Sequence, residues 1–278
     1  MNNNECVQFL QWALPQMHMR WAGFRKVRAQ VCKRIDRRMR QLNIEHIHAY
    51  KTYLVDHPQE WQILDGLSRI TISRFYRDKA MFAYLTEHVL PTLAHRALTR
   101  HDKQLTVWSA GCASGEEAYT VSLIWLLQLQ ARFADIDLTI TATDASAEMI
   151  ARAQQACYAY SSIKNLPSPW RELAFRQQQD TYCLMPEFQR SVEFLQQDIR
   201  EQMPDAGFDL VLCRNLAFTY FDMPLQYRLL EQIQRLLKPG GALVIGIHEE
   251  LPAGADQFSV WSDRLKVYEK TGNTECHV

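Results

Sequence analysis

The chain has 278 residues, and its 31 basic side chains (Lys and Arg) balance 31 acidic ones, so the formal net charge is zero. Hydrophobic residues make up 47% of the sequence and charged residues 22%, a composition that excludes intrinsic disorder of the whole chain. A neutral protein of this size is not a dedicated nucleic-acid coat, although a local basic patch is compatible with it.

The sequence predicts a cytoplasmic protein without membrane insertion. No apolar run approaches the ~20 residues that cross a bilayer, and Met1–Glu5 lacks the basic start of a secretory signal. The cysteines are scattered and never spaced as C-x-x-C. We therefore expect reduced thiols, with neither a disulfide framework nor a metal site. The cysteines are Cys6, Cys32, Cys112, Cys157, Cys183, Cys213 and Cys276.

Residues 1–80 are predicted to form a helical domain with one strongly basic helix. Nine basic residues and one acid, Asp36, lie between Arg20 and Arg40. Apolar residues recur at helical spacing from Phe24 to Leu42, which predicts a helix with one buried stripe and a basic outer face. Two further helices are predicted, one starting near Ile47 and one over Trp61–Leu67.

Residues 81–278 predict an α/β domain. Apolar strands alternate with amphipathic helices, which indicates a parallel sheet with helices on both faces and a ligand at the carboxyl ends of the strands. Two short strand-like runs around Pro186, Thr181–Leu184 and Ser191–Phe194, predict a β hairpin inserted at about 165–195. The main strands are predicted at Leu105–Ala110, Leu138–Asp144, Phe208–Cys213 and Ala242–Ile247, and the helices at Glu116–Leu129, Ala147–Ala156 and Pro224–Leu237.

The loop after the first strand is a candidate ligand site. Gly111 and Gly115 let the backbone turn tightly and bring a ligand close to main-chain amides. Their spacing is not the dinucleotide pattern, and Glu116 and Glu117 would repel a phosphate at the start of the helix. A ligand with a positive end suits this segment. The alternative is that the two glutamates only complement the helix dipole.

Asp144 ends the second predicted strand, where an acid in nucleotide-binding folds takes the ribose hydroxyls. An aspartate at that place is also a common helix N-cap. Together with the glycine loop, the ribose interpretation indicates a cationic, ribose-bearing, phosphate-poor cofactor, which describes S-adenosylmethionine. The turn Lys238–Gly241 before a late strand is also common in methyltransferases of this fold.

Four blocks, with a late fifth segment, resemble the chemotaxis-receptor (CheR-type) protein-glutamate O-methyltransferases. They occur in the family's order and span nearly the whole chain. The blocks are Cys32–Met39, similar to the family's basic helix; Thr71–Asp78, similar to T-x-F-F-R-[DE]; Trp108–Tyr119, similar to W-S-x-x-C-S-T-G-E-E-P-Y; and Phe208–Asn215 with Tyr220–Asp222, similar to F-D-x-I-x-C-R-N-V-x-I-Y-F-D. The fifth segment, Gly246–Glu250, stands where the family has G-H-S-E.

The resemblance implies a Rossmann-like methyltransferase sheet that binds S-adenosylmethionine. By matching position, Glu117, with Glu116 as a second candidate, would hold the methionine ammonium, and Asp144 the ribose. Arg77 would lie beside the transferred methyl group, and Tyr220 matches the active-site tyrosine. The other implied cofactor contacts are Thr71, Ser73, Gly111, Asp198, Ile199, Cys213 and Arg214.

The implied reaction needs few catalytic groups. A glutamate carboxylate is ionised near neutrality, so no general base is required and the enzyme must align and desolvate the reactants. Arg77 would orient the incoming carboxylate and Tyr220 would donate a hydrogen bond near the methyl group. The alternative for Arg77 is a surface salt bridge with Asp78 or Glu87.

Departures from the family pattern concern the substrate. Tyr220 comes one residue later than in the family, because one residue has been added within Leu216–Thr219. Ser73 replaces the usual threonine, and the segment His248–Glu250 lacks the usual serine. Arg74 and Tyr76 add a charge and a hydroxyl group near the cleft. Cofactor binding is compatible with these changes, whereas specificity for receptor glutamates is left open.

The basic helix at 24–40 has several interpretations. In the family it faces the acidic helices of chemoreceptors, and attraction at long range would raise the rate of encounter. Contact with nucleic-acid phosphates is the less favoured alternative, because no RNA-binding module accompanies the helix. A solvated face is the third. The function alternatives are a cofactor-binding regulatory module without turnover and a methyltransferase that acts on a different acceptor.

Overall fold

The computed structural model describes residues 2–271 and divides into two compact units. The first contains the chain up to Thr71 together with the return segment 217–226, and the second contains 72–216 and the chain from Tyr227 onward. Cys276, one of the predicted thiols, lies outside the described residues. Within 2–271, no helix is long and apolar enough to cross a membrane.

The first unit is helical. Its basic helix α3 is present but begins at Arg28, because the chain before it forms the separate short helix α2. The predicted stripe of Val31, Ile35 and Met39 is buried. The return segment 217–226, predicted as part of the second domain, contributes one short helix and the start of a long one. The bounds are α1 Asn3–Gln16, α2 Trp21–Phe24, α3 Arg28–Gln41, α4 Ile47–Asp56, α5 Glu60–Ser68, α12 Ala217–Tyr220 and α13 Met223–Leu236.

Two arginines on α3 stabilise the first unit. Arg38 donates hydrogen bonds of 2.9 and 2.7 Å to the two carboxylate oxygens of Glu60, which also accepts one of 2.8 Å from the hydroxyl group of Tyr50. Arg34 donates to the carbonyl oxygens of Leu67 and Arg69, at 3.1 and 2.5 Å. These two members of the basic helix are therefore committed to packing within the unit.

The second unit is built on a seven-stranded sheet in the order β6-β2-β1-β7-β8-β10-β9. The first five strands in that order pair in parallel, and β10 and β9 add two antiparallel strands. The sheet strands are β1 Gln104–Ala110, β2 Asp137–Asp144, β6 Val192–Gln196, β7 Phe208–Cys213, β8 Leu237–Ile245, β9 Phe258–Ser262 and β10 Val267–Lys270.

The helices of the second unit connect these strands. π-Helical turns at Leu85–Val89 and Trp125–Leu129 extend two of them. The bounds are α6 Lys79–Tyr84, α7 Leu90–Thr99, α8 Glu116–Ile124, α9 Ala147–Gln155, α10 Tyr160–Ile163 and α11 Ser168–Ala174.

The predicted inserted hairpin is wrong in its pairing. The small antiparallel sheet contains β3 Cys157–Ala159, β5 Thr181–Leu184 and β4 Phe175–Gln178, in that spatial order. The strand over Val192–Gln196, assigned to the hairpin, instead lies parallel to β2 at the edge of the main sheet. The physical reason is that Thr181–Leu184 takes its hairpin partner from the preceding residues across a tight turn at Gln179, where φ is +52°.

The prediction of unpaired thiols is also wrong for four cysteines. Cys6 on α1 pairs with Cys32 on α3, and Cys157 on β3 pairs with Cys183 directly opposite on β5. In each pair the partners are 26 residues apart, so only the packing of the elements brings them together.

A buried carboxylate joins three strands near the amino end of β7. Asp209 is 1% exposed and accepts hydrogen bonds of 2.9 Å from the backbone amide and the hydroxyl group of Thr106 on β1. Lys238 on β8 lies 2.9 Å away, and Arg100 also pairs with the same carboxylate. Asp102 contacts the same two cations from a half-exposed position, at 3.0 and 3.4 Å.

We predict that Asp209→Asn lowers the free energy of unfolding by about 3 kcal/mol, because a buried cluster loses its central charge. Urea unfolding followed by circular dichroism measures this. Asp102→Asn is the control, and it should cost less than about 1 kcal/mol because its ion pairs are open to solvent. Equal losses for the two variants would contradict the central role of Asp209.

A second prediction concerns the first unit at acid pH. Burial by itself would raise the pKa of Glu60, but the hydrogen bonds from Arg38 and Tyr50 outweigh it and hold this pKa below its usual value. The ionised carboxylate therefore contributes stability that is complete above the unfolded-state pKa of about 4.3 and is lost as the pH falls through the folded-state pKa.

Accordingly, Glu60→Gln should cost about 3 kcal/mol at pH 7, and the difference from the wild type should narrow below pH ~4.5. Urea unfolding at several pH values between ~3 and ~7 measures this difference in the free energy of unfolding. Glu45→Gln, at an exposed position, should show neither effect. A difference that stays constant down to pH ~3 would refute the assignment.

Candidate active site

The glycine loop after β1 requires both of its glycines. Gly111 and Gly115 have φ values of +73° and +88°. A Cβ atom on Gly111 would lie 2.7 Å from Leu216 Cδ2, and one on Gly115 would lie 3.0 Å from both Ala153 Cβ and Phe194 Cζ. The loop therefore follows a path, at the carboxyl end of β1, that other residues would not follow without strain.

The two glutamates that follow have different surroundings. Glu116 is 4% exposed and accepts hydrogen bonds of 3.0 Å from the hydroxyl groups of Ser114 and Ser162, one on each carboxylate oxygen. Glu117 accepts a hydrogen bond of 2.8 Å from Ser109 and is only partly buried. Of the two, Glu117 is the carboxylate placed to meet a ligand.

Asp144 lies at the end of the neighbouring strand β2. Its Oδ2 atom accepts a hydrogen bond of 2.9 Å from the amide of Ala113 in the glycine loop, and its Oδ1 accepts one of 2.9 Å from the amide of Ser146. Ser146, and not Asp144, caps helix α9, through a hydrogen bond of 3.3 Å to the amide of Met149. Asp144 therefore links the glycine loop to the end of β2, and its carboxylate is half-buried.

Arg214, at the end of β7, is the central cation of the site. Its side chain is 4% exposed and donates to Glu117 Oε2 at 2.8 Å and to the carboxylate of Asp78. The guanidinium lies 5.5 Å from the ring centroid of Phe82. Three separate segments of the second unit therefore converge on this residue.

The loop 72–78 is anchored by Phe75. The Phe75 ring is buried and meets the rings of Tyr158 and Phe175 edge-on, with centroids 4.8 and 5.3 Å apart. The Phe75 amide donates to the carbonyl oxygen of Ser162 at 3.1 Å. The hydroxyl group of Tyr158 in turn donates a hydrogen bond of 2.7 Å to the carbonyl oxygen of Ser114. The small sheet therefore holds both this loop and the glycine loop.

The polar residues of the same loop are more open. Arg77 is partly exposed and donates to the carbonyl oxygen of Ile72 at 2.9 Å. Its predicted alternative, a salt bridge with Asp78, is not formed, because Asp78 pairs with Arg214. Ser73 is half-buried. The Tyr76 ring stacks on Phe82 at a centroid distance of 5.4 Å, and burial raises the pKa of its hydroxyl group.

The segment after β6 lies beside Asp144. The amide of Gln197 donates to the Asp144 carbonyl oxygen at 3.1 Å. Asp198 Oδ1 accepts hydrogen bonds of 3.0 and 2.9 Å from the backbone amide and the Nε atom of Arg200. Ile199, between them, is buried. Gln197 Oε1 is a buried acceptor without a hydrogen-bond partner among the described residues.

Glu249 fixes the ends of β7 and β8. This carboxylate is 2% exposed, and its Oε2 accepts hydrogen bonds from the amides of Asn215 and Gly246, at 2.8 and 2.5 Å. Asn215 has a φ of +55°, and a Cβ atom on Gly246 would lie 2.5 Å from Asn215 Nδ2. Glu249 therefore holds the residue that follows Arg214 and is a positioning residue that the sequence did not indicate.

Two cysteines lie at this edge of the sheet, Cys112 in the glycine loop and Cys213 at the end of β7. Cys112 and Cys213 are buried. Burial, together with the carboxylates of Asp144 and Glu117, raises the pKa of the Cys112 thiol well above its usual range. This thiol is therefore protonated near neutrality.

Two predicted site residues belong to the first unit. Thr71 is its last residue before the second unit begins, and Tyr220 ends α12. The Tyr220 ring lies 5.1 Å from that of Phe24, and its carbonyl oxygen accepts a hydrogen bond of 2.8 Å from the Arg20 amide. The Arg20 guanidinium also donates to the carbonyl oxygens of Phe218 and Thr219, the latter at 3.0 Å. The segment with the additional residue is therefore held by Arg20.

Comparison with known proteins identifies the family. Residues 71–267 match the family described as CheR methyltransferase, SAM binding domain, and residues 26–64 match CheR methyltransferase, all-alpha domain. A chemotaxis protein methyltransferase of Listeria monocytogenes is 32% identical over 69% of this chain and 70% of that protein. Chemotaxis protein methyltransferase 2 of Pseudomonas aeruginosa is 31% identical over 79% of this chain and 77% of its own.

A longer relative is an uncharacterised 104.1 kDa protein of Rhodobacter capsulatus, 31% identical over 86% of this chain. The chain spans only 25% of that protein's length. The fold and the matched domain define an S-adenosylmethionine-dependent methyltransferase. The chain belongs to the CheR methyltransferase family, which confirms the predicted α/β fold, resemblance and cofactor.

The residues at the carboxyl edge fit this cofactor. Glu117 and Asp144 present carboxylates to a ligand that carries an ammonium group and a ribose. Two buried polar atoms at the same edge, Gln197 Oε1 and Arg214 Nε, have no hydrogen-bond partner among residues 2–271. An acceptor and a donor left unpaired in this way carry a desolvation cost that a polar ligand would relieve.

We predict that Glu249→Gln weakens binding of S-adenosylhomocysteine about fivefold and lowers the free energy of unfolding by about 2 kcal/mol, because two buried amides lose a charged acceptor. Calorimetry and urea unfolding measure the two effects. The neighbouring Glu250→Gln removes only an ion pair in which Glu250 is exposed, and it should change neither by more than about 0.5 kcal/mol. Wild-type affinity in Glu249→Gln would refute its positioning role.

Proposed function

We propose that the chain transfers the methyl group of S-adenosylmethionine to a glutamate carboxylate of a protein substrate and forms a methyl ester. The observation that carries this is the set of site groups: the carboxylates of Glu117 and Asp144, which suit a cationic cofactor, and the guanidinium of Arg77, which suits an anionic acceptor. The described residues assigned to the site include no histidine. An acceptor that arrives already ionised, as a carboxylate does at neutral pH, needs no general base.

The cofactor supplies an electrophilic methyl group on a positively charged sulfur. In the proposal Glu117 binds its ammonium group, Asp144 its ribose, and Gln197 with Asp198 and Ile199 its adenosine end. Arg214 balances Glu117 and keeps that carboxylate fixed. The remaining cofactor contacts proposed from the family pattern are Thr71, Ser73, Gly111, Cys213 and Arg77; Glu116 supports the loop from its buried position.

Arg77 and Tyr220 are proposed to orient the substrate carboxylate. Arg77 keeps most of its donors available, because within residues 2–271 only its Nη1 atom donates a hydrogen bond, to the carbonyl oxygen of Ile72. The substrate oxygen attacks the methyl carbon as the carbon–sulfur bond breaks, and the electron pair stays with sulfur. No proton moves in this step, so alignment and desolvation are what the chain contributes.

The proposed protein partner is an acidic, chemoreceptor-like helix that approaches the basic helix α3. Two of the basic residues there, Arg34 and Arg38, are used inside the first unit. Lys33 and Arg37 are exposed and are the proposed contacts for the partner.

The proposed location is the cytoplasm, as for a partner of chemotaxis receptors.

A second candidate is a cofactor-binding regulatory module without turnover. The observation that favours it is the additional residue before Tyr220, which places Thr219 in the family's tyrosine position. The two candidates share the cofactor site and differ only in catalysis.

The proposal is tested first by calorimetry with S-adenosylhomocysteine. The wild type should bind, and Glu117→Gln should bind about tenfold more weakly, because a charge-assisted hydrogen bond contributes roughly 1.5–3 kcal/mol. Glu148→Gln, at an exposed position on α9, is the matched control and should bind like the wild type. Absence of wild-type binding would contradict both candidates.

The acceptor is then identified by labelling a cell lysate with tritiated S-adenosylmethionine. A carboxyl methyl ester releases volatile methanol in alkali, so alkali-labile label supports glutamate as the acceptor. Alkali-stable label would show a different acceptor, and binding without any label would favour the regulatory module. Arg77→Ala should lower the rate of labelling at saturating cofactor, and an unchanged rate would refute its role.

A further inference from the structure

A cleft of about 420 Å³ in the second unit lies outside the residues assigned to the cofactor. The start of α6, the loop after β8 and the turn before β10 form its walls. Its volume falls in the range of pockets that hold small ligands or a few side chains. The lining residues, in addition to Asp78, include Lys79, Met81, Ile247, His248, Arg264 and Leu265.

The cleft shares its walls with the candidate active site. Asp78 lines the cleft, and its carboxylate pairs with Arg214, which also binds Glu117. His248 lines it from the other side and directly precedes Glu249, which fixes the ends of β7 and β8. A group bound in the cleft would therefore be linked to the proposed cofactor carboxylate, Glu117, through the side chains of Asp78 and Arg214.

The lining of the cleft carries one net positive charge, because Lys79 and Arg264 outnumber Asp78 and His248 is counted as neutral. Lys79, His248 and Arg264 are exposed at its rim, and none of them has an ion-pair partner within residues 2–271. Each acid near them already has a cationic partner. Asp78 shares Arg214 with Glu117, and Lys266 lies 2.8 Å from both Glu250 and Asp263.

The floor of the cleft is aliphatic, from Met81, Ile247 and Leu265. An apolar floor within a cationic rim is complementary to an aliphatic side chain flanked by carboxylates. We infer that this cleft binds an acidic segment of the protein substrate, next to the glutamate that is methylated. The inference rests on the proposed function and adds a specificity site to it.

The probe is a pair of blocked hexapeptides, acetyl-Ala-Glu-Leu-Glu-Ala-Ala-amide and its analogue with glutamine in place of both glutamates. Each is titrated into deuterated, ¹⁵N-labelled protein without cofactor. The acidic peptide should shift the amide resonances of Lys79, Met81 and Leu265 and bind about fivefold more tightly than the glutamine peptide, as expected for unscreened charge pairs at low salt. Equal binding of the two peptides, or shifts elsewhere only, would overturn the inference.

The double variant Lys79→Gln/Arg264→Gln should weaken binding of the acidic peptide about fivefold and leave the glutamine peptide unaffected. The matched control is Lys103→Gln/Arg176→Gln, which removes the same charges from exposed positions outside the cleft. Equal weakening by both double variants would overturn the inference, because it would show a net-charge effect. Displacement of the peptide by an equal charge concentration of oligothymidylate would overturn it as well, because the cleft would then be a general anion patch.

Calorimetry with S-adenosylhomocysteine on the same proteins separates this inference from the proposed function. The double variant should bind the product analogue like the wild type. Absence of binding by the wild type would refute the proposed function. The peptide titration would still test whether the cleft binds an acidic segment. If turnover is found, the double variant should raise the KM for an acidic substrate and leave kcat unchanged, whereas a purely structural defect would lower kcat.

Discussion

The geometry of the site depends on the burial of one cation. Arg214 is almost completely removed from water, and a guanidinium in such a place must be balanced by anions. Glu117 and Asp78 provide the balance, although they lie 39 residues apart in the chain. This requirement ties the start of α8, the end of β7 and the loop before α6 to one point. The loop reaches it with positive φ values at Tyr76 and Asp78, +54° and +63°.

Contacts between uncharged residues also hold the loops of the site in place. Phe75 is inserted between aromatic residues of the small sheet, and Tyr158 of that sheet also holds the glycine loop. The small sheet therefore supports two loops at the edge of the large one. Glu249 serves the same end from the other side, because its carboxylate replaces backbone partners that the chain lacks where β7 and β8 stop.

The sequence predicted the alternation of strands and helices in the second unit. β7 is buried throughout and is a nearly continuous apolar run, β1 is mostly buried, and β2 alternates apolar with polar residues, so all three were predicted within one residue of their ends. β9, a largely exposed edge strand, and β10, the four-residue strand beside it, were missed because neither contains such a run. Helix α1 was also missed, although Asn2 and Glu5 form a capping box, which is typical of the start of a helix.

The sequence does not show which strands and which cysteines pair in the tertiary structure. A short strand such as Val192–Gln196 carries no mark that says whether it joins a hairpin or the edge of the main sheet. The same holds for cysteines brought together over 26 residues. In the site, motif positions indicated Glu117, Asp144 and Arg214. Only coordinates distinguish Glu116, enclosed by serine hydroxyl groups, from Glu117 beside it.

The charges of the site explain how one chain could handle a cation and an anion together. Around the glycine loop, the four acids Glu116, Glu117, Asp78 and Asp144 outnumber the two cations Arg77 and Arg214. Such a site attracts a sulfonium cofactor and repels a free carboxylate. A bound cation offsets this repulsion, and basic residues outside the cofactor site can oppose it further. In the proposed function, the acids at the strand ends therefore select the methyl donor, and the basic residues at the rim of the cleft favour an acidic acceptor.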